Sequence, residues 1–375
     1  MAKDHFVPRH YLRRFSVGGS EEILVAQVSP YRFSGRRGIG GQCQEADFYG
    51  GDEPLDKLLW TYENDIAPVL VRVTQKQDFT EPELVALRWL AVSLNLRTRK
   101  AAEAYKVFPR RITYEHVQGA IATGKLPPPP DGKWTEDMVD FEGVSGFLIK
   151  TVGLQCSLEM QTLACKLLKA TSGAFFITSD NPTIILNQFC ASAQPAHNFI
   201  GFSKSGFQLL MPISPELCLL FYDARVYKVG SPRHQLIAMS KDDVEIVNAL
   251  QIQSAEDSVY FHEPNLEPEV QQLVTRYAKL RVPVEDGLRT FRTSNPNEEL
   301  LQFRALSASL PKPWTFCWFR RHIGCQPGDR RNPGWSAVLE ELMNDFDRNP
   351  KGGDINARLE KIIADPNRLK NTRLR

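Results

Sequence analysis

The hydrophobic period of this chain changes near its middle, and that change limits the folds open to it. Over residues 54–106 apolar side chains recur at three- and four-residue steps, at Leu58, Tyr62, Ile66, Val69 and Val73. This is the repeat of an amphipathic helix. A second helix opens within that stretch at Thr80-Glu81-Pro82-Glu83. Thr80 can cap the free amides, Glu83 can reach back, and Pro82 suits the first turn. Leu84, Leu87, Ala91 and Leu94 then form its buried stripe. Residues 134–170 resume helical text, with a break near Gly153. After that the apolar runs shorten. Residues 173–178, 183–186, 207–211 and 217–221 read as strands, and Ser240 caps a helix through Val244, Val247, Leu250 and Ile252. Helices, then a sheet, then helices place the chain in the α+β class: a helical bundle on a small mixed or antiparallel β-sheet, with an appended C-terminal region.

The two ends read differently. Tyr11, Leu12 and Phe15 share one face of an Arg-rich helical start, and Glu22–Val28 reads as a strand. Glycines 35, 38, 40 and 41 read as a loop, and the proline run 127–130 as a stiff surface loop at an insertion boundary. Beyond about residue 264 the pattern loosens. Two helix candidates remain there, one with Val338, Leu342 and Phe346, the other with Ile355, Leu359 and Ile362. We divide the chain into a domain over residues 1–285 and a basic, helical extension over 286–375. A chain of 375 residues, 42 % of them hydrophobic, can bury a core without covalent staples, which excludes wholesale disorder. Seven irregularly spaced cysteines read as reduced core thiols of a cytoplasmic protein. No apolar run is long enough to span a membrane, and the N-terminus lacks the apolar run of a signal peptide. Forty-six Lys and Arg face 44 Asp and Glu, a formal charge of +2. That excludes a histone-like or strongly acidic protein but leaves room for a local basic surface. The pattern specifies no oligomeric state.

Several markers occur in a fixed order. They are His5-Phe6-Val7-Pro8 with Tyr11-Leu12 and Phe15, then Asp47-Phe48-Tyr49-Gly50, then Glu63 in a helix that continues Ala67-Pro68-Val69-Leu70. Arg97 follows an apolar helix. Phe176-Ile177-Thr178-Ser179-Asp180-Asn181-Pro182, Met211-Pro212-Ile213-Ser214-Pro215, Asn248, Ala255 and Val259-Tyr260 complete the set. It resembles the bacterial and fungal family catalogued as domain of unknown function 4238, over residues 3 to about 262. That family often opens His-His-Tyr-Val-Pro, whereas this chain has Asp4-His5-Phe6-Val7-Pro8, with a carboxylate in place of the first imidazole. The family carries no activity, so the resemblance transfers positions and not chemistry.

The polar markers each admit two roles. Asp180 and Asn181 stand at a strand exit, where ligand sites gather, so Asp180 could serve as a general base or metal ligand and Asn181 could orient a substrate. The same Asp-Asn-Pro text also makes a tight turn. His5 could transfer protons or ligate a metal, or pin the terminus by a backbone hydrogen bond. Arg97 could read a carboxylate or phosphate, or pair with Glu63 on the preceding helix. Asn248, inside an apolar helix, either joins a site or bonds neighbouring backbone. If His5, Glu63, Arg97, Asp180, Asn181 and Asn248 converge on one pocket, His5, Asp180 and Glu63 supply acid–base groups. Arg97, Asn181 and Asn248 would then hold an anionic ligand. Such a set suits a hydrolase or nuclease acting on nucleotide or nucleic-acid phosphate, with a divalent metal such as Mg²⁺ or Mn²⁺ on Asp180 and His5. The alternatives are a non-catalytic binding module for an anionic ligand or nucleic acid, and an interaction protein whose polar set pins the N-terminal segment.

Three further motifs are weaker. Arg111 and His116 lie five apart on a helix. Cys317, His322 and Cys325 offer three zinc ligands without a fourth. Arg320-Arg321-His322 with Arg330-Arg331, among Trp314, Trp318 and Trp335, mixes cations with aromatics as nucleic-acid binders do. There is no Gly-rich phosphate loop, no Gly-x-Ser-x-Gly elbow and no His-Glu-x-x-His.

Overall fold

A computed structural model describes residues 3–130, 132–190, 201–281, 288–292, 299–303, 326, 328–349 and 354–364. In chain order the first half carries β1 (Lys3–His5), α1 (Arg9–Leu12), β2 (Glu22–Val28), β3 (Tyr31–Gly38), β4 (Gln44–Ala46), α2 (Glu53–Lys76), α3 (Glu81–Leu96), α4 (Arg99–Ala122), α5 (Val144–Phe147) and α6 (Gly153–Met160). The second half carries β5 (Ala164–Ala170), β6 (Thr178–Ser179), β7 (Ile184–Leu186), β8 (Gln208–Pro212), β9 (Leu217–Tyr222), β10 (Leu236–Met239), α7 (Lys241–Ser254), β11 (Ser258–Phe261), α8 (Glu267–Tyr277), β12 (Leu288–Arg292), β13 (Glu299–Phe303), α9 (Pro333–Arg348) and α10 (Ile355–Ala364). The class is α+β.

Two sheets organise the body. The larger has the order β10-β5-β9-β8-β7 and is mixed, because β10 runs parallel to β5 while the other pairs are antiparallel. The smaller, β3-β2-β11-β6, is antiparallel throughout and joins the first forty residues to residues 258–261. Helix α7 is wedged between them. Val244, Val247 and Leu250 pack with Leu168, Leu210 and Leu220 of the larger sheet, while Ala249 and Ile252 pack with Leu24, Ala26 and Val259 of the smaller. A helix buried all round has no solvent stripe. The largest core cluster lies on the other face of both sheets. Phe6, Val7, Tyr11, Leu12 and Phe15 enter it beside Ile66, Leu87, Leu94, Leu209 and Leu219. Tyr11 is fully buried, donates to the Pro212 carbonyl at 2.5 Å, and lies 2.8 Å from Thr178 Oγ1. The N-terminal segment is thus a docked strap, as its aromatic spacing implies.

Local signals hold where they are chemical. The Thr80–Glu83 capping box forms, and the Ser240 hydroxyl accepts from the Asp243 N–H at 3.1 Å. Leu84, Leu87, Ala91 and Leu94 are buried as their spacing implies. The structure corrects four other expectations. Residues 164–170 form a strand, not helix: β5 lies inside the larger sheet, buried on both faces at Leu167 and Leu168, so its apolar run does not alternate. The glycine-rich text from residue 35 does not open a loop, because β3 runs on to Gly38. Gly35, at φ +74°, sits where the β2–β3 register slips. On α2, Ile66 and Val73 are buried and Tyr62 and Val69 pack against the core as expected, but Leu58 is 56 % exposed, and Leu55, Leu59 and Leu70 join the buried face. Of residues 173–178 only Thr178 enters a strand. Phe175 and Ile177 bond Asn248, and the Phe176 N–H donates to the Pro215 carbonyl at 2.8 Å, so the segment is held without a ladder.

Beyond the larger sheet, α9 and α10 form where the sequence places them, and Leu342 and Ile362 pack together. Arg331, 1 % exposed, ties this part to α6: it donates to the Glu159 carbonyl at 2.8 Å and pairs with the Glu159 carboxylate at 3.4 Å. Gly206 is a tight point. Its φ is +81°, and a Cβ there would come within 2.5 Å of Asn187 Oδ1 and Phe189 Cβ. Gly206→Ala is expected to cost about 3 kcal/mol or more in denaturant unfolding. Gly18→Ala, with φ +58° but open space around it, should cost about 1 kcal/mol. Equal losses would contradict this.

Candidate functional site

The polar markers assemble around the joint between α3 and α4. Four consecutive residues, Arg97 to Lys100, send their side chains to four different segments. Arg97 is 2 % exposed at the C-terminal cap of α3. Its Nε donates to Tyr49 Oη at 2.8 Å, Nη1 to Glu63 Oε1 at 2.8 Å and Nη2 to the His5 carbonyl at 2.6 Å. The Tyr49 hydroxyl donates to the same carbonyl at 3.1 Å. A guanidinium presents its donors in a fixed planar fork, so these contacts fix the relative positions of the strap, the 47–50 loop and α2. Thr98 caps α4 by accepting from the Ala101 N–H at 3.2 Å, and its hydroxyl donates to Asn181 Oδ1 at 2.9 Å. Arg99 bridges Glu45 and Asp257, each at 3.1 Å, with its guanidinium over the Phe6 ring. Lys100 Nζ donates to the Gln253 and Ser254 carbonyls at 3.2 and 2.9 Å, satisfying the open C-terminal end of α7.

Asp180 faces this corner from the other side. It is buried, and its carboxylate accepts three backbone N–H groups, from Glu256 at 2.8 Å, Asp257 at 2.7 Å and Ser258 at 2.9 Å. Burial lifts its pKa above the ordinary aspartate value, against the pull of those three donors. Asn181 donates through Nδ2 to the Ser254 carbonyl at 3.1 Å and hydroxyl at 2.9 Å. Asn248 accepts from the Ile177 N–H at 3.0 Å and donates to the Phe175 carbonyl at 2.8 Å, the two-point pairing that another strand would make.

The structure therefore gathers Glu63, Arg97 and the main chain of His5 in one network, and Asp180 with Asn181 in a second that adjoins it through Thr98. Asn248 stands apart, further along α7. The His5 ring does not bond Asp180; its Nε2 lies 3.2 Å from the Gly40 carbonyl, and burial lowers its pKa. Among the described residues, no group of three or more His, Cys, Asp and Glu is arranged to hold a metal ion. A cavity of about 300 Å³ opens beside the joint, walled by Glu45, Asp47, Phe48, Arg99, Lys106 and Asp140 among others. None of the six marker residues lines it.

Sequence reading missed several members. Gln251 and Ser254 extend Asn248 into a polar stripe at three-residue steps on α7. Gln251 accepts from Ser179 Oγ at 2.8 Å and donates to the Pro182 carbonyl at 2.6 Å. That spacing was available in the sequence, but the apolar stripe beside it drew the reading. Glu256 and Lys100 leave no such trace. Burial and the Asp180 charge push the Glu256 carboxyl up to about 7, and burial with nearby Arg281 brings Lys100 down to about 8. His10, on the helix of the strap, is largely buried, and its Nδ1 lies 4.0 Å from Glu63.

Of the weaker motifs, Arg111 pairs with Glu115 at 2.6 Å and Glu136 at 3.0 Å, and His116 is exposed. Trp335 donates to the Leu158 carbonyl at 3.0 Å. Cys317, His322 and Cys325 lie outside the described residues, as do Trp314, Trp318, Arg320 and Arg321. Cys43, Cys156, Cys165, Cys190 and Cys218 are free thiols. No helix among the described residues is long and apolar enough to cross a membrane.

Fold and site together define an α+β domain whose N-terminal strap is clamped by an arginine at a helix–helix joint. Residues 3–122 and 137–265 match the family described as protein of unknown function (DUF4238), and the chain belongs to that family. The unmatched residues 123–136 contain the proline run 127–130, where the sequence marks an insertion. No curated protein and no solved structure matches the chain.

Two predictions follow from the clamp. Arg97→Lys removes the planar fork and leaves Tyr49 or Glu63 unpaired, so unfolding free energy should fall by about 3 kcal/mol; a loss below about 1 kcal/mol would contradict the clamp. Burial, with Arg97 and Arg13 nearby, lowers the His10 pKa from 6.5 to about 3. The unfolded chain thus binds an extra proton between those values, and this contribution to stability is lost as pH falls from 6.5 towards 3. His10→Gln should flatten the stability–pH slope in that window by up to about 1.4 kcal/mol per pH unit. An unchanged slope would show His10 to be solvated.

Proposed function

We propose that the chain is a non-catalytic binding module for an anionic partner, and that the family's polar residues build its frame. The observation that carries this is the state of Asp180. A general base or metal ligand must face its substrate or metal. Asp180 is buried, with both oxygens already accepting backbone N–H groups. Arg97, the expected anion reader, is likewise consumed by Glu63, Tyr49 and His5. Fully paired, buried polar groups specify a structure more often than they turn over a substrate.

Charge distribution supports the anionic partner. Residues 1–41 hold seven Lys and Arg (positions 3, 9, 13, 14, 32, 36 and 37) against three acids (positions 4, 21 and 22), a balance of +4 where the whole chain has +2. The excess is matched in the extension over 286–375, where 16 Lys and Arg face 11 Asp and Glu, so residues 42–285 between the two basic segments are acidic. The hydrolase reading keeps one point in its favour, that Glu256, pushed up to about 7, and Lys100, brought down to about 8, both lie near Asp180.

The purified full chain, assayed against DNA, RNA and nucleotides with Mg²⁺ or Mn²⁺, should show binding that weakens with salt and no turnover. Asp180→Asn should lower the melting temperature and leave ligand affinity within about twofold. Turnover that Asp180→Asn or Glu256→Gln abolishes in a folded protein would establish the hydrolase instead.

A further inference from the structure

The smaller sheet ends on β3, and among the described residues no strand pairs with its outer edge. That edge is basic. Arg32, Arg36 and Arg37 are exposed, and beyond their backbone pairing with β2 no side-chain hydrogen bond or ion pair among the described residues engages Arg32 or Arg37. Arg36 reaches Glu22 only at 3.8 Å. Register places Arg36, Phe33 and Tyr31 opposite Leu24, Ala26 and Val28, on the side of α8. Arg32 and Arg37 stand opposite Gln27 and Ile23, on the side of the strap, where Arg9 and Arg13 share Glu21. Along this edge five arginines meet three glutamates: Glu21, Glu22 and, on the α8 side, Glu267, which accepts from the Tyr31 hydroxyl at 2.6 Å. Phe33, 40 % exposed, shares the α8 side with Arg36, and one of its faces lies 6.0 Å from the Phe261 ring centroid, while Arg32 and Arg37 flank the edge from the other side.

We propose that this edge is the binding surface of the module and that its occupant is single-stranded nucleic acid. The arginines would neutralise successive phosphates, and the open face of Phe33 would stack on a base. The register slip at Gly35 argues against an extended acidic peptide, because a bulge interrupts the ladder that an added strand needs. Duplex DNA offers no unstacked base to Phe33. This proposal rests on the binding-module reading and names its partner. The competing explanation is that the arginines only keep a bare edge from pairing with a second copy.

The test is fluorescence anisotropy of the full chain with a labelled oligothymidylate, a duplex of the same length and a polyglutamate peptide, each at rising KCl. Wild type should favour the oligothymidylate. The triple variant Arg32→Gln, Arg36→Gln, Arg37→Gln should lose about tenfold or more in affinity, and the slope of log affinity on log salt should shrink by about 2. Phe33→Ser should cost about tenfold on the oligothymidylate and nothing on polyglutamate. All four positions are exposed, so circular dichroism and melting should match wild type. If the triple variant binds like wild type, or sediments as a self-associated species with binding intact, the surface is misassigned while the module reading stands. Preference for polyglutamate or duplex overturns the occupant. If wild type binds none of the three, both this proposal and the binding reading fall.

Discussion

The rest of the molecule depends on the Arg97 guanidinium. Burying a cation costs several kcal/mol unless its donors are satisfied, and here the planar fork finds a carboxylate, a phenol and a carbonyl from three separate segments. Each partner is therefore needed by the others. The strap cannot leave without stranding the Arg97 donor on the His5 carbonyl, and Tyr49 cannot turn without breaking bonds to both. Because Thr98, Arg99 and Lys100 follow directly, the same joint also fixes the Asp180–Asn181 turn, the Glu45 strand and the end of α7. These four side chains fix the register of segments that the apolar core, with Phe6, Val7, Tyr11, Leu12 and Phe15 of the strap in it, holds together.

Helix α7 is the second organising element. It is buried between two sheets, so its polar residues must find protein partners. Asn248, Gln251 and Ser254 find them on the irregular segment 175–183, which the sheets leave without a full ladder. The corner after α7 is finished reciprocally, with its carbonyls taken by Lys100 and Arg281 and its amides taken by Asp180. The polar markers are absorbed inside, while the exposed arginines Arg32, Arg36 and Arg37 sit on the outer strand of the smaller sheet.

Much of this was legible locally. The Thr80–Glu83 box and the Ser240 cap act within three residues of themselves, so they read correctly without a fold. Short strands such as Ile184–Leu186 and Leu217–Tyr222 stood out because turn residues bound them. The reading failed where the environment has two faces. β5 is buried on both sides and so lost its alternation. Gly35 looked like a loop residue because the conformation it supplies serves turns and bulges alike. On α2, Leu58 fits a helical period but faces outward, since a period fixes spacing and not which face meets the core.

The polar markers divide in the same way. Sequence alone determined the α+β class, the helix starts, the docking aromatics of the strap and the list of polar residues that matter, because those follow from side-chain type and near-neighbour spacing. Only the tertiary structure decided what the polar residues do. The partners of Asp180 are main-chain amides some 75 residues away, and those of Asn248 are a carbonyl and an amide on another segment. Backbone groups are the same at every position and leave no mark in a sequence. Whether a carboxylate is free for chemistry or already saturated is therefore settled only when the chain has folded around it.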